Sequence, residues 1–421
     1  MSNISFFDNL LQVIFTALQD HDKIWQKRQR KFSTLSIFFV LIQQIGSPGN
    51  LGLQTILTKL QMCFPSICPE AAPSSIHAAR YKVGWTIFSN ILTIITQRFE
   101  SFYAGSLRHL WKGHRAFAVD ATTINVDHSL KDEEYKPSHP LAHYPLALVS
   151  ALYSLKSEIP YHCEVCGHKN ERKAALSHFA KLRKNDVVVY DRGYLSMSFL
   201  TAHIDMGIEA VFRLKKSSFK AIGEFMDADK SDEIITLYKK NLETIKFRCV
   251  RYKINNEYYY LGTTLLDQKR YKLLDLKNLY HARWGIEELF KVLKKTLNIE
   301  KFHTKNINGI KQEIGIGLLL IALTRLSCIL SKRKEIQASK PNIKQAISNI
   351  MDLICDTQEE SIKATRTKKL KNFLKLVAKG WIKFRHNRHY PRRSFQPKDK
   401  WRRWGKFSKK PESLQVIVFL P

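Results

Sequence analysis

The sequence predicts an α/β fold in which a mixed sheet flanked by helices occupies the middle of the chain. Residues 115–215 contain five segments with the composition of β-strands, and two helical segments separate the last three of them. The segments before residue 100 and after residue 273 have the apolar spacing of helices. This order is typical of an α/β layer rather than of a helical bundle or a β-sandwich.

The composition describes a folded chain without a membrane span. The 421 residues are 44% apolar and 11% aromatic, which allows two or three domains with a sizeable core. The longest apolar run, IGIGLLLIAL at 314–323, is shorter than the roughly 18 residues of a span, and it predicts a buried core helix. The N-terminus lacks the basic region of a secretory signal, and seven cysteines, an odd number, argue against a disulfide framework. We therefore expect a cytoplasmic protein with no membrane partner.

Residues 1–100 are predicted to form a helical N-terminal region. FSTLSIFFVLIQQI ends at a Gly-Ser-Pro-Gly break at 46–49, and a long amphipathic run follows at 73–99. Small helices with basic residues such as Arg80 and Lys82 suit DNA docking. A helical cap on the next domain explains them equally well.

The predicted catalytic domain, 101–335, begins with three strands and then alternates helices with strands. RAFAVDATTINV, LALVSALYSL and IPYHCEV are rich in β-branched and apolar residues, and ERKAALSHFAKL is typical of a helix. DVVVYDRGY is a continuous apolar run, which indicates a strand covered on both faces, and the helix MSFLTAHIDMG and the strand IEAVFRLK follow. A β-rich insertion at 216–268 interrupts this pattern, and helices resume near Leu273.

Two aspartates lie on the predicted sheet. Asp120 is inside the first strand, and Asp191 is at the carboxyl end of the fourth. A carboxylate within an apolar strand costs several kcal/mol unless it is paired or coordinated. An ion pair with a core arginine would explain Asp120, and a turn would explain Asp191. A shared site that needs both carboxylates is the functional alternative.

The segment 280–295, YHARWGIEELFKVLKK, predicts one amphipathic helix. Its polar face carries Tyr280, Arg283, Glu287, Lys291 and Lys294. The ordinary interpretation is a solvated face with an i,i+4 pair between Glu287 and Lys291. If the apolar face instead packs on the sheet, Glu287 faces Asp120 and Asp191.

Three converging carboxylates among cations predict a site for magnesium, which prefers oxygen ligands. Two such ions about 3.5–4 Å apart can activate an attacking oxygen and stabilise the leaving one in phosphodiester chemistry. Arg283 and Lys294 would then hold the polyanionic backbone.

The 280–295 segment resembles the YREK signature of the insertion-sequence-four family of DDE transposases, with the spacing Tyr280-x2-Arg283-x3-Glu287-x6-Lys294. VDATT around Asp120 and YDRGY around Asp191 are similar to the surroundings of that family's first two acids. The resemblance covers about residues 115 to 330, and three motifs in the same order make it specific.

The resemblance implies a ribonuclease-H-like fold with the β-rich insertion before the last acid. It implies that Asp120, Asp191 and Glu287 are catalytic residues that bind two Mg²⁺ ions, with Mn²⁺ as a plausible substitute. It also implies a homodimer that nicks DNA at transposon ends and then transfers the freed 3′-hydroxyl to another phosphodiester.

Further DNA contacts follow from the same resemblance. They are Tyr280, Arg283 and Lys294 at phosphates near the cleaved end, and Arg192 of the second motif. Tyr259 matches an aromatic that stacks on a flipped base in some relatives, and Tyr258 and Tyr260 are alternatives to it. Ordinary packing within a strand is the other explanation of this tyrosine cluster.

The charge of the chain predicts nucleic acid, here double-stranded DNA, as the partner. Lys and Arg number 69 against 37 Asp and Glu, a net charge of +32. Residues 363–410 hold nineteen Lys or Arg and one acid, interleaved with aromatics. We expect 336–421 to be a helical, then basic C-terminal segment used for DNA contact or dimerisation, and we expect the bound protein to be nucleoid-associated.

Three alternatives remain open from the sequence. Cys163, Cys166 and His168 resemble half of a zinc site, but no second pair has finger spacing, which favours structural thiols. A metal-dependent nuclease would cut DNA without strand transfer. A domesticated DNA-binding protein would lack catalysis, although carboxylates near phosphates have no use in simple binding because they repel them.

Overall fold

The structure is a computed structural model that describes residues 2–28, 30–46, 52–66, 68–131, 134–139, 142–167, 170–239, 243–332, 339–358 and 362–383. Its α-helices are α1 (Asn3–Trp25), α2 (Thr34–Gly46), α3 (Leu53–Cys63), α4 (Pro73–Lys82), α5 (Thr86–Phe102), α6 (Glu171–Leu176), α7 (Met197–Asp205), α8 (Lys220–Asp227), α9 (Leu273–Ala282), α10 (Trp284–Lys291), α11 (Ile307–Ser331), α12 (Ile343–Gln358) and α13 (Lys363–Lys379). Its strands are β1 (Ala116–Asn125), β2 (Leu146–Ser154), β3 (Pro160–Cys166), β4 (Val187–Tyr190), β5 (Glu209–Arg213), β6 (Asp232–Tyr238), β7 (Thr244–Ile254), β8 (Glu257–Thr263), β9 (Ser339–Pro341) and β10 (Trp381–Lys383).

Strands β1 to β8 form one mixed sheet with the order β3-β2-β1-β4-β5-β8-β7-β6. β1, β2 and β3 are antiparallel neighbours, whereas β4 runs parallel to β1 and β5 runs parallel to β4. Helices α6 and α7 connect the strands at the points where the sequence predicts them. The first five strands have the order of a ribonuclease-H-like sheet, so the predicted fold class is confirmed.

The β-rich segment at 216–268 extends this sheet. β8 pairs antiparallel with β5, with Val211 opposite Thr263, and β7 and β6 continue the antiparallel pairing outward. A short helix, α8, precedes these strands. The segment therefore shares one hydrogen-bonded sheet with the central strands, and it returns the chain to the sheet surface where α9 begins.

Helix α11 is the centre of the helical layer. It packs against α2, α5, α12, α13 and β3. By length and composition α11 is apolar enough to cross a membrane, with a mean hydropathy of 2.1, but 83% of its most apolar window is buried inside the protein. Burial on all sides explains why its sequence is apolar all round. The buried core helix predicted at 314–323 is confirmed.

One basic residue of the N-terminal region belongs to this core. Arg80 of α4 is 6% exposed, and it donates hydrogen bonds to Glu313 at 2.7 Å and to Gln312 at 2.9 Å, both on α11. A buried arginine paired in this way fastens α4 to α11. Lys82, by contrast, is exposed.

The segment 280–295 is not the single regular helix that the sequence predicts. α9 ends at Ala282, α10 begins at Trp284, and a π-helical turn, Val292–Thr296, follows α10. Around Arg283 the chain forms tighter i,i+3 bonds, from the Arg283 N–H to the Tyr280 carbonyl at 3.0 Å and from the Ile286 N–H to the Arg283 carbonyl at 2.9 Å. These local changes of pitch rotate the side chains away from an ideal 100° spacing.

Candidate active site

The sheet register brings the two aspartates to the same level. Strand β1 pairs parallel with β4, with Ala118 opposite Val189. Asp120 lies two residues beyond Ala118, and Asp191 lies two residues beyond Val189. Because the two strands are parallel neighbours, both carboxylates lie at the same end of the sheet.

Helix α10 brings the third carboxylate, Glu287, to this place. Its apolar side chains are buried, among them Ile286 at 0% and Leu289 at 2% exposure, and the helix packs against β1. Gly285 permits this approach, since a Cβ atom there would meet Tyr153 of β2 at 2.9 Å. Glu287 consequently lies on the side of the helix that faces Asp120.

Two side chains of the YREK residues connect the three carboxylates. Arg283 Nη1 donates to Asp120 Oδ2 at 2.8 Å, and Arg283 Nη2 donates to Glu287 Oε1 at 2.9 Å. The Tyr280 hydroxyl donates to Asp191 Oδ1 at 3.3 Å. The sequence interpretation that Asp120, Asp191 and Glu287 face a common site agrees with these contacts. The Arg283 side chain is 11% exposed, so these ion pairs are partly shielded from water.

The carboxylates influence one another electrostatically. Burial raises the pKa of Asp120, and the negative charges of Asp191 and Glu287 raise it further, although the Ala121 N–H and Arg283 oppose the shift. Burial alone would lower the pKa of Arg283. Tyr280 and the three carboxylates outweigh burial and raise it. Arg283 is therefore the counter-charge of a concentrated negative site.

The two lysines of the segment have other partners. Lys294 donates to the Thr123 carbonyl of β1 at 2.7 Å and lies 3.7 Å from Glu300. Lys291 contacts Glu288 at 3.2 Å, so the i,i+4 pair with Glu287 expected for a solvated face is absent from this described segment. The tightened turn at Arg283 directs Glu287 toward the sheet instead of along the helix.

The remaining predicted DNA contacts lie near the site but make different contacts. Arg192 is exposed and makes no hydrogen bond or ion pair with any described residue. The Tyr259 ring stacks on Tyr252, with ring centroids 5.7 Å apart, and Arg213 lies over it at 5.4 Å. Both neighbours already occupy the Tyr259 ring, which resembles the packing alternative.

The other two tyrosines differ from Tyr259. The Tyr258 ring is 53% exposed, with Arg251 over it at 4.7 Å and Lys253 at 5.5 Å. The Tyr260 ring packs edge-on against Phe225 of α8 at 6.3 Å. Tyr258 is thus the most accessible ring of the cluster.

Trp284 is a residue that the sequence interpretation missed. It is 62% exposed and directly follows Arg283. The signal was present, since an indole ring on the polar side of a helix has no packing reason to be there. An exposed indole beside a site for a polyanion suits stacking on a nucleic-acid base.

The three acids fit a hard divalent cation by donor type, since all are carboxylates. In the described parts of the chain, however, no group of three or more His, Cys, Asp or Glu side chains is close enough to hold a metal ion. Arg283 accounts for this spacing at Asp120 and Glu287, because its guanidinium lies between them. A cation bound by both acids would therefore replace the guanidinium.

The alternative zinc motif gains no support from the described residues. Cys163 and Cys166 are free cysteines on β3. Burial raises the pKa of Cys166 to about 11 and raises that of Cys163 further, which favours thiols over the thiolates that bind zinc. His168 lies outside the described residues.

Fold and site together define a class: a ribonuclease-H-like protein in which two strand-borne aspartates and a helix-borne glutamate face one another, as in the DDE transposases. The family profile described as "Transposase DDE domain" matches residues 111–323, slightly more than half of the chain. The chain belongs to this transposase family. The family resemblance predicted from the three motifs is confirmed.

Two known proteins are similar to this chain. The transposase InsG for insertion sequence element IS4 of Escherichia coli (strain K12) is 20% identical over 293 residues, which cover 66% of this chain and 66% of that protein. The aligned region thus spans slightly less than two thirds of the relative. A piggyBac transposase, in a synaptic complex with hairpin DNA, is 10% identical, with a TM-score of 0.47 over 88% of this chain and 85% of that one.

Proposed function

We propose that this chain is the transposase of an insertion sequence, which binds the ends of its element and catalyses metal-dependent DNA cleavage and strand transfer. The observation that carries the proposal is the pair of contacts made by Arg283, which joins Asp120 of the sheet to Glu287 of α10. These residues are 167 positions apart in the chain (287 − 120 = 167), and no requirement of the fold alone brings such charges together.

Asp120, Asp191 and Glu287 are the proposed catalytic residues and the ligands of two Mg²⁺ ions, for which Mn²⁺ can substitute. When bound, such ions activate the attacking oxygen and stabilise the leaving oxygen of a phosphodiester. The carboxylates hold this charge at the sheet edge beside the DNA. The raised pKa of Asp120 means that a nearby cation favours its ionised form.

Arg283 has two roles in this proposal. Without DNA it neutralises Asp120 and Glu287, and with DNA it moves to a phosphate oxygen, for which a guanidinium has matching donors. The carboxylates released in this exchange are then free to bind cations. Tyr280 makes the same exchange at Asp191, where its hydrogen bond of 3.3 Å is the weakest of the three.

Other residues around the site are proposed to hold the DNA. Lys294, Arg192 and Tyr259 are retained as DNA contacts from the family resemblance, and Trp284 joins them because its ring is 62% exposed. In α13 the basic side chains surround a buried apolar stripe that includes Leu370 and Phe373, which leaves the lysines available to phosphates. Residues 384–421, which carry the rest of the basic segment, lie outside the described residues.

The protein is proposed to act as a homodimer, so that each copy holds one end of the element. A nuclease with the same site would cut without joining, and a DNA-binding descendant would do neither. The exchange at Arg283 favours the catalytic alternatives, because simple binding of phosphates gains nothing from three carboxylates.

The test uses the full chain and a plasmid that carries the two element ends found on either side of the gene. With Mg²⁺ and a target plasmid, a transposase gives products joined to the target, and a nuclease gives only cut ends. The Asp120→Asn variant is the control for contaminating nucleases. Binding without any cleavage by the wild type, with either Mg²⁺ or Mn²⁺, would disprove the proposal.

A further inference from the structure

We propose that Glu171 is a fourth acidic residue of the active site and helps to bind its divalent cations, directly or through a water molecule. This inference rests on the proposed function of the site. Glu171 is the first residue of α6 and follows the N-cap Asn170, whose side chain accepts from the Lys173 N–H. No motif of the sequence assigned a role to it.

The position of α6 places Glu171 beside the two aspartates. The helix packs against β1 and β2, and β1 carries Asp120. Arg172 Nε donates to the Gly193 carbonyl at 2.9 Å, which fastens the start of α6 to the turn that follows Asp191. Glu171 thus lies on the strand side of the site, across the sheet edge from α10.

A surface groove of about 630 Å³ opens at the same place. Its lining includes Asn170, Glu171, Arg172, Lys173, Gly193 and Ser196. The groove is mostly polar, and Lys173 is exposed. A DNA strand that approaches the carboxylates along this groove would bring its phosphates between the cations of α6 and the acid at its start.

Electrostatics indicate that Glu171 belongs to the carboxylate cluster. Desolvation raises the pKa of Glu171, and the negative charges of Asp120 and Asp191 raise it further. Among the described residues Glu171 makes no ion pair, although Arg172 and Lys173 follow it. An acid placed beside two other acids without its own cation costs free energy, which a bound divalent cation would recover.

Tyr194 provides an independent observation in the same cavity. Its side chain is 1% exposed, and its hydroxyl has no hydrogen-bond partner among the described residues. Burial raises the pKa of Tyr194, and the charges of Asp120 and Glu171 raise it further, so the hydroxyl lies within reach of both. A buried donor without a partner costs about 1–3 kcal/mol, which indicates that the site holds an additional acceptor when it functions.

The test measures cation binding separately from catalysis. Free Mn²⁺ is followed by electron paramagnetic resonance while it is titrated into the full chain, as wild type and as the Glu171→Gln variant. We expect Glu171→Gln to weaken Mn²⁺ binding by about tenfold, because losing one oxygen donor or its water contact has this effect at metal sites. The Mg²⁺ concentration for half-maximal cleavage of the element ends should rise with it.

Glu224→Gln is the matched control, since Glu224 is an exposed glutamate on α8, 65% exposed at its side chain. This variant should bind Mn²⁺ as the wild type does. Glu171→Ala is a second variant, with a smaller side chain that cannot clash, and it should show the same weakening. Thermal unfolding of every variant confirms that it is folded.

Two results would overturn the inference. The first is Mn²⁺ binding by Glu171→Gln and Glu171→Ala within about twofold of the wild type. The second is equal weakening by Glu224→Gln, which indicates a general charge effect. Asp120→Asn distinguishes the two levels of the argument: if it weakens Mn²⁺ binding and Glu171→Gln does not, only the role of Glu171 fails. If neither does and the wild type cuts no DNA, the proposed function fails.

Discussion

Arg283 donates a hydrogen bond of 2.8 Å to Asp120, and this contact ties a helix to the strand on which the first acid lies. The same guanidinium reaches Glu287 at 2.9 Å. A single cation thereby neutralises two carboxylates that would otherwise repel each other. The arrangement keeps the acids together in a chain that has not yet bound DNA, and it makes Arg283 the residue whose movement decides whether the acids are available.

Replacing Arg283 by Ala should destabilise the free protein and increase its response to Mg²⁺. Loss of the guanidinium leaves Asp120 and Glu287 without a partner, and because the pair is partly buried we expect a loss of about 1–3 kcal/mol in the free energy of unfolding. Millimolar Mg²⁺ should then raise the melting temperature of the variant more than that of the wild type, since no guanidinium competes with the ion.

The control for this prediction is Arg283→Lys, which keeps the charge but loses the two-pronged contact. Its Mg²⁺ response should lie between those of the wild type and Arg283→Ala. An equal shift of melting temperature in all three proteins would contradict the competition between Arg283 and the cation.

Neutral replacements of the three acids should abolish cleavage and preserve DNA binding. Asp120→Asn, Asp191→Asn and Glu287→Gln each remove a charge that the proposed chemistry needs, so cleavage of the element ends should fall by at least about a thousandfold. Binding measured by gel shift should stay equal or become tighter, because a negative charge near phosphates is lost. Retained cleavage in any one variant would exclude that residue from catalysis.

Trp284→Ala should weaken contacts with unpaired bases more than contacts with duplex DNA. Stacking on an aromatic is worth about 1–3 kcal/mol per base, so affinity for a DNA end with unpaired terminal bases should fall roughly tenfold. Fluorescence anisotropy on paired and unpaired ends measures the difference. Tyr238→Ala is the control, since Tyr238 is 68% exposed on β6, the outer strand of the sheet. Equal losses on both DNA forms would argue against stacking.

Tyr258 and Tyr259 should differ in the property that their replacement changes. Tyr259 packs against Tyr252 and Arg213, so Tyr259→Ala should lower the melting temperature of the protein. Tyr258 is 53% exposed, so Tyr258→Ala should leave stability within about 0.5 kcal/mol of the wild type. If Tyr259→Ala remains fully stable but loses hairpin or cleavage products, base stacking by Tyr259 is the better explanation.

Acid should destabilise the fold through buried histidines such as His203. Its Nδ1–H donates to the Phe199 carbonyl at 2.9 Å, and its Nε2 accepts from the Tyr190 hydroxyl at 2.9 Å, an arrangement that needs the neutral ring. Burial lowers the pKa of His203 from 6.5 to about 4. The unfolded chain therefore binds a proton at this residue between pH 6.5 and pH 4, where the folded chain does not.

The stability that His203 contributes is consequently complete above pH 6.5 and is lost as the pH falls toward 4. The expected slope is up to about 1.4 kcal/mol per pH unit for each such group. Urea unfolding measured across this range tests it, and His203→Gln should reduce the slope. An unchanged slope in the variant would show that other groups, such as the buried His178, dominate.

Several features were accessible to sequence reasoning because they depend on local pattern. The period-two and continuous apolar runs predicted β1, β4 and β5, since neighbouring side chains of a strand report which faces are covered. The fixed spacing of the YREK residues identified Glu287 as the partner of Asp120 and Asp191. In each case the signal lies within a few residues of the chain.

Other features needed the folded chain. The sequence predicted one helix at 280–295, but packing of α10 on β2 through Gly285 tightens the turn at Arg283, and Lys291 then pairs with Glu288. Arg283 was expected at a phosphate, and its contacts with Asp120 and Glu287 follow from the relative position of two distant elements.

The sequence by itself determined which residues carry charge, which segments are apolar on one face or on both, and which motifs the chain shares with a family. Only the tertiary structure decided which charges meet: Asp120 level with Asp191, Arg283 between two acids, and Glu171 beside them. The physical reason is that periodicity records the environment of a side chain along one dimension, whereas electrostatic partners are set by sheet register and helix packing, which act between residues far apart in the chain.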